Sequence, residues 1–178
     1  MTDPVKLQIA KAVTSGFKTI TPANGYVSDL SDYDPGDGQA TERVYRGRAF
    51  FGDGDPVPML SLLEAGFDDE MVNDIIAEKP STEYWWPLIV QGWVTDDPVH
   101  PTDPAYVLLA DVRRYLATEM KRRDGEGNTS FFGIDSKLVT GVRFGGGRVR
   151  PASESSAYAG FHMILELRIM DKADKPYG

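Results

Sequence analysis

Apolar residues recur at helical spacing in two stretches of the chain and alternate with polar ones in several others. Near the start, Val5, Ile9, Ala12 and Val13 fall on one helical face. Asp3 precedes them as a cap, Pro4 suits the first helical position, and Gly16 marks the stop. A strand over 17–20 then leads into the turn-forming run Thr21–Tyr26. Residues 43–51 alternate as a strand, with Val44, Arg46 and Arg48 on one side and Tyr45, Ala49 and Phe51 on the other. The turn formers Gly52–Pro56 separate it from a second strand over 57–64. Met71, Val72, Ile75 and Ile76 predict a short helix over 68–79. The aromatic and β-branched run Tyr84–Thr95 predicts a strong strand, and Pro87 within it points to an edge or a bulge.

The clearest helical stripe is Ala105, Leu108, Leu109, Val112, Leu116 and Met120. Asp103 and Pro104 begin it as Asp3 and Pro4 begin the first, and Lys121, Arg122 and Arg123 crowd its expected last turn. Leu138–Phe144 reads as a strand. In 160–170, Phe161, Met163, Leu165, Leu167 and Ile169 face one way while His162, Glu166 and Arg168 face the other, as in a half-buried strand. The order helix, strands, helix, two strands predicts an α+β fold in a single domain spanning 1–178. Both main helices should pack on one face of a mixed, largely antiparallel sheet. Residues 28–42, 124–136 and 145–160 are expected to be mobile loops.

The 178 residues are enough for one domain that buries about 70% of its unfolded surface. The chain has no cysteine, so disulfides, thiolate metal sites and thiol catalysis are excluded. No apolar run is long enough to cross a membrane, and the N-terminus lacks the apolar stretch of a secretory signal. The formal net charge of −8 is unevenly placed. Residues 64–103 hold ten acids against one base, a net of −9; residues 113–150 hold nine bases against four acids, a net of +5. Such segregation suits surfaces of opposite sign that meet between copies, and the overall charge argues against a grip on nucleic acid.

Residue patterns for catalysis are weak. His100 lies between prolines and His162 in a strand, and no Gly-x-Ser-x-Gly elbow accompanies either. Asp32, Asp34, Gly36 and Asp37 only partly follow a calcium-loop pattern, so an acidic turn is expected. Gly145–Gly147 lacks the phosphate-binding context and reads as a connection. The adjacent pairs Asp68–Asp69 and Asp96–Asp97 have nothing to set them across a cleft. No enzymatic activity, cofactor or metal is expected.

The succession of features resembles the tail terminator proteins of long-tailed bacteriophages, the minor tail protein U type. The likeness rests on the N-terminal helix, Ile20–Tyr26, Val44–Arg48, Pro56–Leu62, the aromatic strand 84–94, the helix 103–123 and the final strand 160–170. It covers most of residues 3–171, and residues 66–82 and 124–136 are additions to the family's compact pattern. The resemblance implies a structural virion protein without chemistry. Six copies would form a ring at the head-proximal end of the tail, assembled in the host bacterial cytoplasm. The ring would stop tube polymerisation and present a surface for head–tail joining. Its partners would be other copies, the tail tube protein and a head connector or head-completion protein. DNA would pass through without specific binding, and no membrane would be involved. Interface candidates are Arg43, Arg46, Arg48, Trp86, Phe131, Phe132, Arg148 and Arg150. Two alternatives remain: another neck or tail-completion protein, and a carbohydrate-binding module with Trp85, Trp86 and Trp93 as an aromatic platform.

Overall fold

The computed structural model describes residues 3–36, 40–52, 54–65, 81–152, 158–172 and 175–177. Among these are two α-helices, α1 (Val5–Phe17) and α2 (Asp103–Glu119). Six strands accompany them: β1 (Val44–Arg46), β2 (Met59–Glu64), β3 (Ser81–Thr95), β4 (Val139–Phe144), β5 (Arg148–Arg150) and β6 (Tyr158–Lys172). The strands form one mixed sheet in the order β1-β2-β3-β6-β4, with β5 also paired to β6. Only β1 and β2 run parallel; every other pair is antiparallel. The fold is therefore α+β, as the pattern predicts.

The pairing register decides which side chains share a face. Leu60 and Leu62 lie opposite Gly92 and Val90, and Trp86, Leu88 and Val90 lie opposite Leu167, Leu165 and Met163. Val142 joins this row beside Leu167. These residues form a single buried core with Val5, Ile9, Val13 and Phe17 of α1 and Leu108, Leu109, Val112 and Leu116 of α2. Both helices thus cover the same face, and among the described residues the opposite face carries none. Gly92 is needed at the centre of this core, since a Cβ there would lie 2.3 Å from the Phe161 ring.

Several local expectations change. Asp3 makes no side-chain cap for α1; the Val5 N–H donates instead to the Pro176 carbonyl at 2.9 Å. Gly16 does not stop α1, which runs on to Phe17, so the expected strand over 17–20 is a helix end and a turn. The strand expected over 43–51 is only three residues long, because Gly47 turns away with a positive φ of 71°. Pro87 sits in a strand paired on both sides, where β2 ends at Leu88, so its missing N–H falls just beyond the ladder. α2 begins at Asp103 after Thr102, without a side-chain cap, and ends at Glu119. Met120 is consequently exposed, and Lys121–Arg123 lie past the helix rather than in its last turn. There the chain folds back through an Arg123–Thr129 bridge.

The loops are more tightly held than their composition implies. Ser28 and Leu30 are buried; Asp111 of α2 accepts the Val27 and Ser28 N–H groups, at 3.1 and 2.7 Å. Within 124–136, Phe131 and Phe132 enter the core, and Glu119 accepts the Phe132 N–H at 2.8 Å. Within 145–160, β5 pairs with β6. The helix expected over 68–79, Asp37 of the acidic turn, and 153–157 of the glycine-rich loop lie outside the described residues.

Candidate functional site

The face of the sheet without helices concentrates the unassigned chemistry. Tyr45, Met59, Ser61, Trp85, Ile89, Gln91, Trp93, His162 and Ile164 point to this side by register. Its residues split into two regions. Toward β1 and β2 the β1–β2 connection folds over the sheet: the Phe51 ring packs on Trp93 at 4.3 Å and on Tyr45 at 5.7 Å. Met59 and Ser61 are wholly buried as a result. Toward β6 and β4 the face stays open, with Trp85 and Ile89 half-buried and Ile164 40% exposed.

Arginines rim the open region. The Arg143 guanidinium lies 4.2 Å from the centre of the Trp85 ring and donates twice to Glu166, at 2.6 and 3.0 Å. Arg168 pairs with Glu83 at 2.7 Å. Arg150 lies 6.0 Å from the Trp93 ring centre. Neither Arg148 nor Arg150 forms a salt bridge among the described residues. The patch therefore combines half-buried indoles, aliphatic side chains and unneutralised guanidinium groups. Such residues dominate the energetic centres of protein interfaces because they bring large contact area with few rotors and many donors.

The remaining interface candidates are placed differently. Phe131, Phe132 and Trp86 are buried in their own chain and are withdrawn as exposed contacts. Arg43 donates to the Asp29 carbonyl at 2.7 Å. Arg46 donates to Thr14 Oγ1 at 2.7 Å while its side chain stays exposed. Arg48 pairs with Asp55 at 2.6 Å and stacks over Tyr45 and Phe51. These three do not form a shared arginine row; each ties β1 to a different part of the chain. Arg143 carries no signal in the sequence, and Trp85 is expected there only as part of an aromatic platform. The alternation in 160–170 already set Glu166 and Arg168 outward, but their cross-strand partners depend on register.

Conventional catalytic arrangements do not emerge among the described residues. His100 is exposed in its loop and His162 on the open face. No group of three metal-ligating side chains converges. Asp97 accepts the His100 and Val99 N–H groups, at 2.8 and 2.7 Å, and these hold its carboxyl below the usual range. That is turn chemistry. Gly147, with φ 79°, carries the chain from β4 into β5 close against Leu109, so the triglycine is a connection. No protein-family model matches the chain, and a search of curated proteins found no match.

Proposed function

We propose that the chain is a structural virion protein of the tail terminator kind. Six copies form a ring at the head-proximal end of a phage tail, stop tube growth and receive the head connector. The single observation behind this reading is the sheet face that carries no helix among the described residues, where Trp85 stacks with Arg143 and where Ile89, Ile164, Arg148 and Arg150 share the same side by register. A surface of that composition suits contact with another protein. The family resemblance supplies the rest: the tube protein and connector as further partners, and the role in place of catalysis. With a net charge of −8, the ring repels rather than grips the DNA that traverses it.

The carbohydrate-platform reading receives less support from the same face. A sugar stacks on a free indole face, yet Arg143 already covers Trp85 and Phe51 packs on Trp93. Trp86 points into the core.

Size-exclusion chromatography with light scattering, across protein concentration, separates the two. A closed species of about six copies, seen as rings by negative-stain microscopy, is the expected result. A strict monomer that binds oligosaccharide overturns the reading.

A further inference from the structure

We propose that copies join head to tail through a groove beside the middle of β3 that receives the acidic shoulder following β3 in a second copy. This rests on the self-assembly proposed above and specifies its contact. The groove, of about 390 Å³, lies between the first half of α1 and the ends of β1 and β2. Leu7 and Leu63 give it an accessible apolar rim above the buried side chains of Leu62 and Trp86, and Lys6, Arg46 and Glu64 bring charge to it. Lys6 Nζ stands 5.2 Å from the Trp86 ring centre, and Arg46 donates to Thr14. Neither cation forms a salt bridge among the described residues, and Leu7 is 38% exposed.

The shoulder follows the C-terminal end of the same strand. Trp86 and Thr95 are nine residues apart on β3, about 30 Å at roughly 3.3 Å per residue. Residues 95–107 carry Asp96, Asp97 and Asp103 with no lysine or arginine. They also expose apolar side chains: Val99 is 76% and Tyr106 59% accessible. The segment is held in shape. Asp97 accepts two backbone N–H groups, the Asp103 N–H donates to the His100 carbonyl at 3.0 Å, and prolines stand at 98, 101 and 104. A pre-ordered apolar projection loses little conformational entropy on docking.

The two surfaces are complementary in balance: two cations against one carboxylate, Glu64, in the groove, and three carboxylates without a lysine or arginine on the shoulder. Their separation along β3 decides the occupant. A surface and its complement at two separate places on one molecule produce a heterologous contact, which repeats from copy to copy and closes into a ring when the rotation allows.

Two variants test this. Leu7→Arg blocks the groove, and Val99→Arg with Tyr106→Arg blocks the shoulder. All three positions are exposed, and melting curves check the fold; Leu7→Ser and Tyr106→Ser are gentler versions expected to act in the same direction. In sedimentation velocity each variant alone should lose assembly, with association weakened about 30-fold or more, the scale of a lost interface anchor. An equimolar mixture of the groove and shoulder variants retains one intact junction per pair. It should give a dimer and nothing larger. If wild type assembles and the variants assemble equally well, this contact is wrong and the ring stands. Variants that are monomeric alone and stay monomeric when mixed also overturn the head-to-tail geometry. A wild type that never self-associates overturns both the contact and the ring.

Discussion

Gly16 stands in the last turn of α1, where alanine ordinarily favours a helix by up to about 1 kcal/mol. Here a Cβ would lie 1.9 Å from Tyr115 Oη and 2.9 Å from its Cζ. The glycine is required by the approach of α2, not by a helix stop. Gly16→Ala should destabilise the protein by about 1–3 kcal/mol, the usual cost of overpacking. Adding Tyr115→Phe should recover part of that loss, since the hydroxyl is the nearest obstacle. Urea midpoints measure both; a stabilised single variant would show that the ring yields freely. The same tyrosine has a pH signature. Burial pushes its phenol well above the ordinary value of 10.0, and the neighbouring Glu119 carboxylate adds to the effect. A raised folded value means that the native state holds the proton more tightly. The stabilisation is complete below about pH 10 and is lost as pH rises toward the folded value. Burial also raises Tyr45 and Tyr84. Absorbance titration at alkaline pH should show Tyr115 ionising only as the fold opens. Ionisation of Tyr115 near pH 10 in an intact fold would contradict this packing.

Among the elements, α2 was the most legible, because a helix with one face against a sheet repeats its apolar residues every three or four positions. Leu116 is wholly buried there, while Met120, the sixth residue of the same stripe, is exposed past the helix end. Leu116→Ala should therefore cost about 2–5 kcal/mol. Met120→Ala should cost well under 1 kcal/mol, within the range of ordinary surface changes. Thermal melts on the two variants separate these cases; equal losses would mean that α2 continues and buries Met120. The stripe cannot report its own end. That end depends on Glu119 reaching the Phe132 N–H and on the return of the chain at Arg123–Thr129. The same tertiary contacts carried Phe131 and Phe132 from the expected surface into the core. β5 escaped notice for a related reason: three residues with one apolar side chain carry no periodicity until β6 lies alongside.

Across the whole molecule, the proposed ring places opposite charges on meeting surfaces. Exposed ion pairs contribute only about 0–1 kcal/mol each, so they orient encounters more than they hold them. Raising ionic strength from about 0.05 to about 0.5 M shortens the screening length from about 14 to about 4 Å. Stopped-flow light scattering should show slower assembly at the higher salt, with only a modest change in the final assembled fraction. Acceleration by salt would indicate that surfaces of like charge meet, against the arrangement proposed for Lys6, Arg46 and the 95–107 shoulder.

The sequence by itself determined the α+β class, the two main helices, the long central strands and the buried alternation of 160–170. Each of these follows from a local period, 3.6 or 2, imposed by one-sided burial. It also carried the charge segregation, which is a property of composition. Only the tertiary structure decided how that charge is used. Arg43, Arg46 and Arg48 look alike in sequence, but Asp29, Thr14 and Asp55 engage them separately. Arg143 and Trp85, 58 positions apart, meet on one face because β6 pairs with both of their strands. Separation along the chain holds no information about such meetings; strand register does, because shifting it by one residue would exchange the two faces of the sheet.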